Sequence, residues 1–246
     1  MDRGCRGLAG EIGDTKKTER MEERSIRCEC CSGAARVLLS QSGFCKLCFI
    51  ERFERSVTSE VRKGLVETDR KKVRRVLCVL ENTLASDVLY NVTTKNKSVM
   101  VEYAYCTLDR PREGAVHLTA AGVEPYERVG AVVQYGVKYH YDCVVFSQYS
   151  AEVADILLRM IAKGEIDRYP GMFVRAGVNL CYPFYSWTYK SIYYYALVQG
   201  LFKRPNTWSR QQVGAGAHQA LIRDLLKNSP HSILNLIKVQ QKISHE

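Results

Sequence analysis

The stretch Val73-Arg-Arg-Val-Leu-Cys-Val-Leu80, followed by Glu81-Asn-Thr-Leu-Ala-Ser-Asp-Val-Leu-Tyr-Asn91, decides the fold. From Val76 to Leu80 no residue is polar, which is the pattern of a strand covered on both faces in a parallel sheet. Leu84 to Asn91 reads as a short helix and Ser98 to Cys106 as a second strand, so the stretch is a βαβ unit. Thr107 to Pro125 is polar and turn-rich. Tyr126 to Gly136 then reads as a helix with Val129, Val132 and Val133 on one side, and Tyr141 to Ser147 as a strand. Ser150 is expected to cap a helix with Glu152 in its first turn, with Val153, Ile156, Leu157, Met160 and Ile161 facing inward and Gly164 as its stop. Met172 to Arg175 and Val178 to Tyr182 are short strands, and Ser186 opens a tyrosine-rich helix that ends at Gly200. Two helices close the chain, Gln212 to Asn228 and Pro230 to Ile243, with Ser229-Pro230 suited to an N-cap followed by proline at the first helical position. The succession predicts an α/β fold, a mostly parallel sheet covered by helices.

Ahead of the strand lie two knuckles, Cys28-Glu-Cys30-Cys31 and Cys45-Lys-Leu-Cys48, separated by thirteen residues. Each C-x-x-C pair turns both sulfurs toward one ion, and two pairs complete the tetrahedral sulfur shell that zinc prefers. Cys28, Cys31, Cys45 and Cys48 are therefore the expected ligands of one structural Zn2+, with Cys30 as a spare thiol that can replace Cys28 or Cys31. Free thiols in a small core and an iron–sulfur cluster are the competing readings; four-cysteine clusters usually have other spacings. Between the knuckles, Ala35 to Ser40 reads as a strand and Ser42-Gly43 as a turn. The helix after the second knuckle repeats Phe49, Phe53, Val57 and Val61 every four residues, with Arg52, Arg55, Arg62 and Lys63 on other faces and Gly64 at its end. Such a module buries little alone, so the metal is expected to stabilise it.

The chain of 246 residues carries 36 basic and 26 acidic side chains, a net charge of +10. An excess of this size attracts polyanions without specifying one, and a solvated helix face explains a basic helix equally well. Met1 to Arg20 lacks the apolar core of a secretory signal, and Ile192 to Phe202 is too short to span a bilayer. The expectation is a cytoplasmic protein with no membrane partner, where cysteines are metal ligands or packing groups rather than disulfides.

The order of these features resembles the cytoplasmic tRNA 2-thiolation proteins of the PP-loop superfamily, and within them the tRNA 2-thiolation protein 2 family. Phe44-Cys-Lys-Leu-Cys-Phe49 with Phe53 carries the likeness in the cysteine module. Val144-Val-Phe-Ser147 with Ala151 to Gly164, Met172-Phe-Val-Arg175 with Tyr189 to Leu201, and Ser229 to Ile243 carry it through the body. The resemblance implies a polar, disordered tail over 1–25, a zinc module and basic helix over 26–64, and a Rossmann-like, PP-loop-type sheet domain over 65–246 with C-terminal helices.

Enzymes of that superfamily carry Ser-Gly-Gly-x-x-Ser after the first strand, where backbone N–H groups reach the ATP pyrophosphate. Here the place reads Glu81-Asn-Thr-Leu-Ala-Ser86-Asp87. Ser86 is kept, both glycines are gone, and Glu81 sets a carboxylate where phosphates would sit. Two unit charges ~4 Å apart at an effective dielectric of ~20 repel by about 4 kcal/mol. Glu81, Asn82, Thr83 and Ser86 thus form a degenerate phosphate loop not expected to bind ATP. Thiolases of the group also carry sulfur or a cluster on cysteines of this domain. Cys78, Cys106, Cys143 and Cys181 each stand alone beside apolar residues, as packing thiols do, with a composite site built from the separated cysteines as the alternative.

The resemblance implies a non-catalytic subunit of a complex that thiolates the wobble uridine of tRNA. It implies a heterodimer with a catalytic PP-loop thiolase, with sulfur supplied by a ubiquitin-like carrier. In that reading Arg52, Arg55, Arg62 and Lys63 hold tRNA backbone, no residue of this chain is catalytic, and Tyr189, Tyr193, Tyr194 and Tyr195 suit a partner face. The alternatives are an ATP-dependent tRNA thiolase or adenylating enzyme with an unusual loop, and a zinc-binding interaction adaptor.

Overall fold

The computed structural model describes residues 26–39, 42–65, 73–96, 98–119, 125–164, 174–175, 178–201 and 217–243. The tail expected over 1–25, most of the linker after Leu65, residues 172–173 and the start of the helix expected from Gln212 lie outside them.

The antiparallel hairpin of β1 (Val37–Leu39) and β2 (Ser42–Phe44) opens the described chain and leads into helix α1 (Lys46–Gly64). Then come β3 (Arg74–Leu80), α2 (Leu84–Lys95), β4 (Val101–Thr107), β5 (Val116–His117), α3 (Pro125–Lys138), β6 (Cys143–Val145) and α4 (Ser150–Ala162). The last elements are β7 (Val174–Arg175), β8 (Val178–Cys181), α5 (Tyr189–Val198), α6 (Ala217–Asn228) and α7 (Pro230–Ile243). Six strands form one sheet in the order β5-β4-β3-β6-β8-β7, parallel throughout except for the antiparallel edge strand β7. Among the described residues, no helix is long and apolar enough to cross a membrane.

Strand β3 is apolar on both faces because both are covered. Val76 and Cys78 join a core with α1, α2 and α5 on one side; Leu77 and Val79 join a second with α3, α4, α6 and α7 on the other. Helix α1 belongs to the first core. Its stripe Phe49, Phe53, Val57 and Val61 is buried, and the Phe53 ring lies 4.5 Å from that of Tyr195 and 4.7 Å from that of Trp187. The helix ends pressed onto the sheet: a Cβ at Gly64 would stand 3.1 Å from the Cys143 sulfur and 3.3 Å from Cys181 Cβ.

Local departures from the sequence reading have identifiable causes. Ser42-Gly43 is strand β2, not a turn; Gly43 is there because a Cβ would meet Ile26 at 2.6 Å and Ala35 at 2.9 Å. Ser150 is the first residue of α4 rather than its cap. The Tyr149 N–H donates to the Glu152 carboxylate (3.2 Å) and the Ser150 hydroxyl to the Trp187 carbonyl. Helix α5 starts at Tyr189, where the Thr188 hydroxyl accepts the Ser191 N–H. Helix α2 continues to Lys95, past threonines whose hydroxyls back-bond to Leu89 and Tyr90 carbonyls. Strand β5, two exposed residues at the sheet edge, has no apolar pattern to announce it.

Candidate metal centre and the loop at the strand crossover

The hairpin and the start of α1 bring the Cys28, Cys31, Cys45 and Cys48 sulfurs within 4.8 Å of one another. Cys31 and Cys45 stand 3.6 Å apart. Sulfurs about 2.3 Å from one tetrahedral ion are separated by about 3.8 Å, so the group has the dimensions of a single-ion site. Cysteines that each hold a different iron of a cluster stand further apart. Cys30 is exposed and outside the group. Cys45 also occupies the N-cap position of α1, its sulfur accepting the Cys48 N–H at 3.5 Å. The Cys45 backbone N–H, with those of Cys30 and Cys31, draws the Cys28 thiol down to about 6. The Cys48 N–H lowers Cys45, while a hydrogen bond to Cys45 pushes Cys48 up. Four thiols this close share protons that a bound cation displaces.

The chain runs from β3 outward through β4 to β5, then returns to β6 on the other side of β3. The crevice where strand order reverses is the ligand position of open α/β sheets, and the β3–α2 loop lies there. Three of its N–H groups are engaged by the protein itself. The Glu81 N–H donates to the Ser86 hydroxyl (2.9 Å), the Ser86 N–H to the Thr83 hydroxyl (3.2 Å), and the Asn82 N–H lies 3.4 Å from an Asp109 carboxylate oxygen. Across the crevice, the Ser86 and Ser147 hydroxyls are 2.7 Å apart and the Gln148 side-chain amide donates to Glu81 (3.2 Å). Asp87 in the first turn of α2 pairs with Arg112, and Asp109 with Arg128, both at 3.0 Å. Two carboxylates, each paired with an arginine, thus lie beside the start of α2, whose positive end favours negative charge.

Burial, followed by the nearby Asp109, raises Glu81 to about 7; burial raises Glu152, close enough to feel Glu81, to about 8. Glu81 is therefore only partly ionised at neutral pH, and the repulsion expected from the sequence is correspondingly smaller. Occupied N–H groups and side-chain bulk carry the rest. Asp109, Arg112, Arg128, Ser147 and Gln148 were not read as part of this loop by sequence, because they come to it from three separate segments, after β4, in α3 and after β6.

Cys78, Cys143 and Cys181 do gather, on the sheet face beneath α1, and Cys106 lies on the opposite face; all four are buried. Burial holds Cys78 well above the ordinary thiol value and Cys106 up to about 12. The Cys181 thiol donates to the Glu60 carbonyl at 3.4 Å. Their chemistry is that of packing groups.

Arg52, Arg55, Arg62 and Lys63 are all exposed on α1. Arg52 lies over the Phe44 ring (4.9 Å) and Arg55 pairs with Glu51, both beside the cysteine module. Arg62 and Lys63 stand in the last turn of α1, where Lys63 pairs with Glu60 at 2.7 Å. The tyrosine set divides. Tyr195 is fully buried, and its hydroxyl donates to the Glu54 carboxylate (2.5 Å) and lies 3.1 Å from the Asn91 side chain, so it is a core residue and not part of a partner face. Tyr194 is half-buried edge-on to Phe49, while Tyr189 and Tyr193 are exposed.

No protein-family profile matches the chain, and no curated protein sequence matches it. Solved structures similar to it include the U34-tRNA thiolase NcsA from Methanococcus maripaludis with its 4Fe–4S cluster. That likeness has 14% identity and a TM-score of 0.65 and covers 91% of this chain and 88% of that one. An NH3-dependent NAD synthetase from Campylobacter jejuni in complex with nitrate is more distant: 12% identity, 82% and 96% coverage, and a TM-score of 0.37, too low to bear on the fold. The chain is an α/β protein of PP-loop-like fold with a four-cysteine group able to hold a metal near its start.

Proposed function

We propose that the chain is a non-catalytic subunit of a cytoplasmic complex that adds sulfur to the 2-position of the wobble uridine of tRNA. The observation that carries this reading is the closed β3–α2 loop. It is supported by a fold similar to that of a tRNA thiolase in which the Glu81, Asn82 and Ser86 N–H groups of this loop are bonded to the side chains of Ser86, Asp109 and Thr83. Adenylation then belongs to a partner, a PP-loop thiolase with intact glycines, in a heterodimer that receives sulfur from a ubiquitin-like carrier. Four buried thiols in the sheet domain fit a subunit that does not carry sulfur itself.

In this reading Cys28, Cys31, Cys45 and Cys48 hold one structural Zn2+, favoured over a cluster by the short sulfur separations. The ion fixes the hairpin against α1, and basic side chains of α1 meet tRNA phosphates, which position the substrate without reading its sequence.

Depletion of the protein in its own cells, with tRNA nucleosides measured by mass spectrometry, tests the proposal. Loss of 2-thiouridine, restored by the wild type and by Ser86→Ala, is the expected outcome. Unchanged 2-thiouridine in depleted cells contradicts it.

A further inference from the structure

We infer that the groove between the cysteine module and α5 binds an unpaired stretch of RNA, stacking bases on tyrosine rings and pairing phosphates with a basic rim. The groove has a volume of about 1340 Å³; the β1–β2 hairpin and α1 form one wall, and α5 with the turn before it forms the other. Arg36, Arg52, Arg55 and Lys190 line it, and the one acid among the described lining residues, Glu51, is paired with Arg55. Its occupant is therefore an anion.

The aromatic wall specifies which kind. Tyr193 is 46% exposed, and Tyr194 beside it is held edge-on to Phe49 with ring centroids 5.1 Å apart. Arg52 is already stacked over Phe44, which presents a flat cation at the groove mouth. Interleaved rings and cations are the platform on which single-stranded nucleic acid lies, because every unpaired base has a face to stack. A duplex offers its phosphates but hides those faces.

The identity of the RNA as tRNA rests on the proposed function; the groove chemistry does not. It also changes which residues matter. Arg62 and Lys63 do not line the groove, whereas Arg36, Lys190 and Tyr193 do.

The test uses the full chain, a labelled oligouridine of about 12 nucleotides, an RNA duplex of the same length and a tRNA, with affinity read by fluorescence anisotropy. The oligouridine and the tRNA are expected to bind in preference to the duplex. Tyr193→Leu should weaken both by about tenfold and Tyr193→Phe by little. Lys190→Ala should lower the slope of log affinity against log salt by about 0.7. Tyr193 lies at the surface, so thermal unfolding of the variants should match the wild type. Equal affinity of Tyr193→Leu and wild type, or preference for duplex, overturns the inference. So does a Tyr193→Leu variant that loses a co-purifying protein but keeps its RNA affinity, which makes the groove a protein interface. If tRNA binds without regard to these groove variants, the groove assignment fails and the subunit proposal stands. If oligouridine binding depends on Tyr193 while cellular 2-thiouridine does not depend on the protein, the groove assignment stands and the subunit proposal fails.

Discussion

The hydroxyls of Ser86 and Ser147 lie 2.7 Å apart and join the loop after β3 to the end of β6, across the point where the sheet reverses its strand order. Ser86 also accepts the Glu81 N–H, so one buried hydroxyl holds the loop closed. Replacing it by alanine leaves buried polar partners unpaired, at a cost of about 1–3 kcal/mol. Urea unfolding of Ser86→Ala should show that loss. ATP titrated calorimetrically into the wild type to millimolar concentration should give no saturable heat, and saturable binding would reinstate the enzyme reading.

Glu81 and Glu152 give the fold a pH dependence of defined sign. Their folded values, about 7 and about 8, lie above the ordinary carboxyl value of 4.5. The folded state thus keeps protons that the unfolded chain releases. The associated stability is present in full below about pH 4.5 and is lost as pH rises through 7 and 8. Glu81→Gln keeps an acceptor for Gln148 and removes one titration. Relative to wild type it should gain on the order of 2–3 kcal/mol between pH 5 and pH 8, measured by urea midpoints at both. A constant difference between the two proteins would show that Glu81 is not buried as described.

Phe53 meets four rings at once, those of Phe49, Phe184, Trp187 and Tyr195, and is fully buried. Truncation to alanine removes the contact that seats α1 on α5. Phe53→Ala should cost about 3–5 kcal/mol in chemical denaturation. A loss below about 1 kcal/mol would mean that α1 folds apart from the sheet.

One metal ion per chain is expected by elemental analysis, colourless and therefore not an iron–sulfur cluster. Cys45→Ser should abolish it, since Cys45 is both a ligand candidate and the N-cap of α1. Chelation should open the hairpin and the start of α1 to proteolysis while leaving the sheet protected. Iron with broad visible absorbance would replace zinc in this scheme.

Much of this was legible in the sequence because it rests on local pattern. The apolar run Val76–Leu80, the four-residue stripe of α1 and the paired cysteine spacing each correspond to one element or one knuckle. What was not legible depends on tertiary approach. Gly43 looked like a turn residue because no one-dimensional pattern records that Ile26 passes over it. Tyr193 and Tyr195 are two residues apart in the sequence, yet the fold buries one and exposes the other. The acidic and hydroxyl groups that close the β3–α2 loop come from the ends of β4 and β6, and the groove joins the hairpin to a helix more than 140 positions away.

The most direct measurement is affinity isolation of the tagged protein from its own cells, with bound proteins and RNAs identified in the same sample. A PP-loop protein with an intact glycine loop, recovered together with tRNA, is the result expected of a non-catalytic thiolation subunit. Recovery of neither, with the metal still present at one ion per chain, contradicts that role and leaves a metal-stapled α/β protein with a different purpose.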